Sequence, residues 1–210
     1  MTDTQYFWYM VVNALVAAGT IGAVIVALFG EVFRAKCFPP VFEFRVLKPA
    51  GEMCPITDRN GTHVADGRYY HFEVRNTRAW VRATHSQLRL IRIERPGPDG
   101  QPQIVWDGDI PVRRRHQEFY PTEAVIGSPV HYDLCAIVKG KEEDAAPALS
   151  LMPIIKPNNL PAEWRGDTHF IAAFQLKCAQ RDSEVVRIQF DWDGSWQEGD
   201  AEIQKHFRLK

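Results

Sequence analysis

The residues best suited to binding chemistry form one short basic run, Arg113, Arg114 and Arg115, followed by His116. Planar guanidinium groups bind phosphate oxygens through paired hydrogen bonds, so the run predicts a site for a nucleotide or a lipid headgroup. A second interpretation is a solvated, ion-paired sheet face, because residues 49–138 hold eleven arginines, eleven acidic residues and no lysine. This balance of charges favours the second interpretation.

Catalytic and metal-binding patterns are missing from the sequence. It contains no Gly-x-Ser-x-Gly elbow, no phosphate-binding loop and no dinucleotide fingerprint. Asp191 and Asp193 flank Trp192 and resemble paired carboxylates, but their position is typical of a strand that runs into a turn. The seven histidines show no short ligand spacing, and no Cys-x-x-Cys occurs. We therefore expect a protein that is not an enzyme and that uses no metal ion or cofactor.

A Trp-Asp-Gly triplet occurs twice, at residues 106–108 and 192–194. Asp-Gly after a strand is a strong turn signal, because glycine adopts positive φ freely and Asp bonds to its own backbone. The triplet therefore predicts two turns. The alternative is a sugar-binding platform on which Trp106, Trp192 and Trp196 would stack a ligand.

The first element of the chain is an apolar stretch near the N-terminus that is long enough to form a helix. Residues 4–30 contain no charged side chain, and 6–29 are apolar except for Asn13 and Thr20. A helix of this length rises about 36 Å, enough to cross a bilayer core of about 30 Å. A cleaved signal peptide is the alternative, but it needs a basic start and an apolar core of about 7–15 residues. We predict an uncleaved transmembrane helix over residues 6–30.

Charges beside this helix predict its orientation. Cations that resist translocation lie just after it, at Arg34, Lys36, Arg45 and Lys48, and none lies before it. The four cysteines are too sparse for a disulfide framework and fit a reduced compartment. We expect a single-pass protein of the cell inner membrane whose C-terminal domain is cytoplasmic.

Small residues along the predicted helix suggest self-association. They recur every fourth position in two adjoining stripes, which let another helix backbone approach closely. An amide within a bilayer also gains a hydrogen-bonding partner across such an interface. These positions predict a homo-oligomer and are Asn13, Ala14, Ala18, Gly19, Gly22, Ala23 and Ala27.

The rest of the chain alternates between apolar and polar residues with a period of two. Pro39 and Pro40 end helical structure, and about eight or nine strands follow without a convincing helix. The predicted layout is a tail (1–5), a transmembrane helix (6–30), a juxtamembrane linker (31–40) and an antiparallel β-sandwich (41–210). One predicted strand face consists of Val130, Tyr132, Leu134, Ala136 and Val138.

One stretch of this β region carries a resemblance. The segment FEVRNTRAWVRATHSQLRLIRIE (72–94) resembles the strand, Asn-containing turn and strand of bacterial immunoglobulin-like, adhesion-type modules. The plan of one helix followed by such a module is similar to uncharacterised single-pass bacterial membrane proteins. The resemblance implies an all-β, immunoglobulin-like sandwich and carries no function over.

Composition restricts the partners. Beyond residue 30 the 25 basic and 25 acidic residues cancel, so no global field attracts a nucleic acid polymer. We expect a membrane-anchored interaction module that oligomerises through its helix and recognises an unknown protein or small-molecule ligand. One alternative is a membrane effector of bacterial immune signalling, in which a nucleotide held by the arginine run clusters the helices. Another is an extracytoplasmic envelope or glycan-binding module.

Overall fold

A computed structural model describes residues 2–78, 80–115, 124–139 and 146–210. The chain divides into two compact units, Met1–Pro39 and Pro40–Lys210. The first unit is helical and the second is mostly β.

The helical unit is one long helix, α1 (Asp3–Cys37). Its stretch Asp3–Gly30 is apolar and long enough to cross a membrane, and a signal sequence near the N-terminus would have the same character. The helix continues through residues 31–37, which the sequence predicted as linker. The helix ends at Cys37, before the two prolines, as the sequence predicts. Phe38 precedes Pro39, and a residue before proline is disfavoured in the α region.

The described residues of the β unit form eleven strands and one short helix. In chain order they are β1 (Phe42–Val46), β2 (Glu52–Thr57), β3 (His63–Asn76), β4 (Ala83–Pro96), β5 (Pro102–Pro111), β6 (Ala124–Ile126), β7 (Val130–Val138), β8 (Ala148–Leu151), β9 (Thr168–Lys177), β10 (Val186–Trp192), α2 (Asp200–His206) and β11 (Phe207–Leu209).

These strands form two antiparallel sheets. The first has the order β1-β3-β7-β8. On the same edge of β3, β1 pairs with its second half and β2 pairs with its first half. The second has the order β11-β10-β9-β4-β5, and β6 pairs with the start of β4. All pairings between the named strands are antiparallel, as alternating polarity predicts.

Aromatic side chains from both sheets meet in one hydrophobic core. The ring of Phe72 on β3 lies 6.2 Å from that of Phe174 on β9, and Tyr70 on β3 lies 4.6 Å from Phe207 on β11. Each such ring contributes about 1.5–3 kcal/mol through burial. The two sheets therefore share one core, with side chains pointing inward at every second position.

A bulge corrects the predicted face of β7. Opposite β3, the register passes from Tyr70↔Cys135 to His71↔Asp133, so Leu134 is an extra residue without a partner. An extra residue inverts the alternation beyond it. Beyond the bulge the core-facing residue of β7 is therefore Cys135. The sequence predicted that Ala136 and Val138 would lie on that face.

The first Trp-Asp-Gly triplet is not a turn, so that prediction is wrong. Trp106, Asp107 and Gly108 lie inside β5, and a Cβ on Gly108 would come within 2.4 Å of the Trp106 indole. The glycine is needed because the indole lies over its backbone. The second triplet confirms the turn prediction: Gly194 has φ +87°, and Asp193 accepts a hydrogen bond from the Ser195 amide.

The alternation in 204–209 predicts a last strand there, but β11 begins only at Phe207, because Asp200–His206 form the short helix α2. Acidic side chains lie in its first turn and basic ones in its last turn, which stabilises even a short helix. Ile203 is buried and attaches the helix to the core. The expectation of no helix within the β region is therefore wrong.

Candidate binding surface

The arginine run lies beside β7, and two of its members are ion-paired. Arg113 Nε lies 3.7 Å from Asp133 Oδ2, and Arg115 donates to Glu52 Oε2 at 2.7 Å. The backbone of Arg114 forms an antiparallel bridge with that of Tyr132, whose side chain faces the core. The Arg114 side chain therefore leaves the backbone on the face opposite to that of Arg113 and Arg115. The three guanidinium groups are therefore not brought together, and His116 lies outside the described residues.

A buried histidine connects the two ion pairs. The His71 side chain is 7% exposed, and its Nδ1 lies 3.0 Å from Asp133 Oδ1. Its Nε2 lies 3.7 Å from Glu52 Oε2. Arg113, Asp133, His71, Glu52 and Arg115 thus form a connected row of basic and acidic side chains that links β2, β3 and β7. The carboxylates that neutralise these arginines hold the strands together and compete with any anionic ligand.

The two carboxylates beside Trp192 are separated by the end of their strand. Asp191 lies on β10 and accepts hydrogen bonds from Gln189 Nε2, Lys210 Nζ and His169 Nδ1 at 2.9–3.1 Å. Burial alone would raise the pKa of Asp191, but these hydrogen bonds outweigh it and lower the pKa to about 2. A carboxylate this acidic is a poor general acid or base near neutral pH.

The proposed sugar platform does not form from the predicted tryptophans. Trp106 and Trp192 are buried in the core, and Trp196 is partly buried against it. The Trp192 indole donates to the Ser195 carbonyl at 2.9 Å, and that of Trp106 to Asn159 at 3.3 Å. These rings stabilise the fold and present no open stacking face.

Metal ligation and thiol chemistry have little support within the described ranges. No group of three or more His, Cys, Asp or Glu side chains there could hold a metal ion. All four cysteines are free. Cys135 is fully buried, and burial raises the pKa of its thiol well above the usual value, which makes it unreactive.

The positions predicted for helix association lie on the exposed surface of α1. A Cβ built on Gly19 or Gly22 would find no atom within 4 Å, so the backbone is open there. All seven positions are exposed in this single chain: Asn13, Ala14, Ala18, Gly19, Gly22, Ala23 and Ala27.

A cleft of about 400 Å³ opens beside β1, at the edge of the first sheet. One wall is Pro40, Val41, Phe42 and Phe44, and the other is the segment 181–186 that leads into β10. Val41 and Val185 are largely exposed, while Phe42 and Phe44 pack partly against the core. The cleft therefore has an apolar wall on the β1 side and a wall of mixed charged, polar and apolar residues on the 181–186 side.

The backbone of β1 offers hydrogen-bonding groups at this edge. On its inner side β1 bonds to β3, as shown by Thr77 N to Val41 O (2.8 Å) and Leu47 N to His71 O (3.1 Å). In an antiparallel pair, bonded positions alternate, so odd-numbered residues of β1 bond to β3. The outward-facing N–H and C=O groups therefore belong to Phe42, Phe44 and Val46.

Two exposed charges of opposite sign alternate with these residues. Glu43 lies opposite Arg75 of β3, and Arg45 lies opposite Glu73. The outer face of β1 therefore has one acidic and one basic position, two residues apart, beside the open backbone edge.

Comparison with protein-family models, curated proteins and solved structures finds no match for this chain. Its own residues must therefore carry the functional argument. Among the surfaces of the described residues, the β1 edge with its cleft is the best candidate for binding.

Proposed function

We propose that this chain is a membrane-anchored interaction module. In this proposal α1 is a single-pass, self-associating anchor in the inner membrane. The β unit is a cytoplasmic, immunoglobulin-like sandwich that binds an extended segment of a protein partner at the β1 edge. The observation that carries the proposal is an apolar, exposed helix joined to a separate unit with its own core.

The anchor is supported by the character of α1. The 28 residues Asp3–Gly30 contain an 18-residue window with a mean hydropathy of 2.3, and none of that window is buried. At about 1.5 Å per residue they exceed the bilayer core of about 30 Å. Exposing so large an apolar surface to water is unfavourable, so a bilayer or other helices must cover it. The cations Arg34 and Lys36 after the helix favour a cytoplasmic β unit.

The binding mode is supported by the open edge of β1. An extended peptide that adds to a sheet edge gains main-chain hydrogen bonds and places alternate side chains in neighbouring pockets. The cleft beside Phe42 and Phe44 provides such a pocket. The carboxylates that pair with Arg113 and Arg115 favour this mode over a nucleotide held by the arginine run.

Thiol labelling tests the anchor and its orientation. Cys54 is exposed on β2, so a variant with Cys37→Ser and Cys178→Ser retains one accessible thiol in the β unit. We expect full-length protein in alkali-washed membranes, labelled by an impermeant maleimide only after the cells are permeabilised. Buried Cys135 is the internal control and should react only after denaturation.

Two results would contradict the proposal. Labelling of Cys54 in intact cells would place the β unit outside the cytoplasm. A mature chain that lacks α1 would identify the helix as a signal sequence, and the protein would have no anchor.

A further inference from the structure

We propose that the partner at the β1 edge is a second copy of this chain. The two β1 strands pair antiparallel about a two-fold axis at Phe44, so that the first sheets of the two copies become continuous. This inference rests on the proposed strand-binding role and names the partner for that site.

Backbone geometry limits the possible registers. The outward-facing groups belong to every second residue, so these residues must lie opposite each other in the new pair. With Phe44 opposite Phe44, Phe42 lies opposite Val46, and all three residues of each copy form hydrogen bonds. A one-residue shift would place apolar residues opposite charged ones and mismatch the sheet faces.

Charge selects one register from the remaining possibilities. With Phe44 opposite Phe44, Glu43 of each copy lies opposite Arg45 of the other, giving two favourable cross-strand pairs. A two-residue shift in one direction places Glu43 opposite Glu43, and in the other direction Arg45 opposite Arg45. The central register therefore satisfies the most backbone groups and is the one that avoids like charges.

The apolar side of the strand fits the same arrangement. Directly opposed residues share a sheet face, so Phe42, Phe44 and Val46 of the second copy lie on the core side of the pair. That is the side on which Phe42 and Phe44 line the cleft. The added strand therefore places aromatic side chains in the cleft beside Phe42, Phe44 and Val185 and removes them from water.

The short length of β1 limits the affinity of the contact between two copies. Five residues bury less area than a stable independent interface needs, so the contact is weak by itself. Anchoring two copies in one membrane raises their effective concentration and strengthens such a contact. The edge of β5 is a poorer choice, because two register shifts interrupt its pairing with β4 and twist the strand.

Disulfide crosslinking in the full-length chain tests the register. One tagged copy carries Glu43→Cys and a differently tagged copy carries Arg45→Cys, both with Cys37, Cys54 and Cys178 changed to Ser. In the proposed register these positions face each other with Cα atoms about 4.5 Å apart, within disulfide range. Two copies of Glu43→Cys place their thiols on Cα atoms about 8 Å apart, beyond that range.

We expect rapid oxidation of the mixed pair and at least about tenfold slower oxidation of either single variant with itself. Both changes are at exposed positions, and a thermal unfolding curve confirms that each variant folds. Equal rates in all three combinations would overturn the proposal, because association through α1 alone gives no preference between positions 43 and 45.

Charge reversal provides a second readout that needs no added thiol. Energy transfer between labelled full-length chains in vesicles should fall for Glu43→Arg alone and for Arg45→Glu alone, with affinities at least about tenfold weaker. Mixing the two variants restores opposite charges in both pairs and should restore the signal. Signals that do not change with these substitutions would refute the β1 contact.

Failure of this inference is distinguishable from failure of the proposed function. A full-length chain in the membrane that crosslinks at position 43 to a different protein, and not to itself, would overturn self-pairing and leave the anchored module intact. A chain that lacks α1 would overturn the anchor, whatever the crosslinking result.

Discussion

Replacing Arg68 by methionine tests how the segment after β10 is held against the first sheet. Arg68 lies on β3 with its side chain fully buried. The guanidinium donates to the carbonyls of Ala50 (2.8 Å), Gln197 (3.1 Å) and Glu198, and to Asp200 Oδ1 (2.8 Å). One side chain thus binds three backbone carbonyls and one carboxylate from two distant parts of the chain.

The contacts differ in how much they contribute. Asp200 has a side chain that is 68% exposed, so removal of its charge costs less than about 1 kcal/mol. Once the guanidinium is lost, the Ala50 carbonyl is left buried without its donor, which costs about 1–3 kcal/mol before water enters, and the part-buried carbonyls of Gln197 and Glu198 cost less. We therefore expect Arg68→Met to lower the free energy of unfolding by about 2–4 kcal/mol, the combined loss of the three carbonyl contacts and the exposed ion pair.

Urea unfolding followed by tryptophan fluorescence measures both changes in the full-length protein in detergent. The matched control is Asp200→Asn, which keeps the shape of the carboxylate and removes its charge. Equal destabilisation by the two substitutions would contradict this expectation, because the ion pair would then dominate. A loss below about 1 kcal/mol for Arg68→Met would also refute it.

Three further outcomes follow from other contacts. Gly194→Ala should cost at least about 2 kcal/mol in urea unfolding, more than Gly61→Ala, because both have positive φ but a Cβ at 194 would lie 2.6 Å from the Gly166 backbone; equal losses would contradict this. The pKa of Asp191 is about 2 in the folded protein against 3.8 ordinarily, so its stabilisation is complete above about pH 4 and is lost as pH falls through 2. Asp191→Asn should therefore flatten the pH dependence of unfolding in that window, and an unchanged profile would argue against it. Gly22→Leu should reduce the oligomer size of the detergent-solubilised chain in light scattering more than Val24→Leu does, because a large side chain blocks close helix approach.

The apolar helix and most of the strands could be predicted from the sequence. The span around residues 6–30 is visible because it has no charges, and the alternation in 168–177 and 186–192 marks β9 and β10. Both signals are local, since they depend on the side chains of one element. The helix extends to Cys37 because the break occurs at the prolines and not at the end of the apolar stretch.

Features that depend on two strands could not be predicted. The bulge at Leu134 is defined by its mismatch with β3, and the strand position of Gly108 depends on where the Trp106 indole packs. The short helix α2 is stabilised by the burial of Ile203 against the core, which no local pattern shows. In each case tertiary contacts override a local preference.

The candidate site was only partly visible in the sequence. The opposite charges of Glu43 and Arg45 can be read directly, but a sequence does not show which strand ends a sheet. The arginine run was visible, and the interpretation as an ion-paired face agrees with the contacts of Arg113 and Arg115. Their carboxylate partners come from distant strands and were not predictable.

Native mass spectrometry of the chain extracted from membranes in detergent measures whether α1 is retained and whether the chains associate. We expect subunits with the full 210-residue mass, assembled as dimers or larger oligomers. Subunits that lack the mass of α1, or full-length subunits that remain monomeric at every concentration, would contradict a self-associating membrane-anchored module.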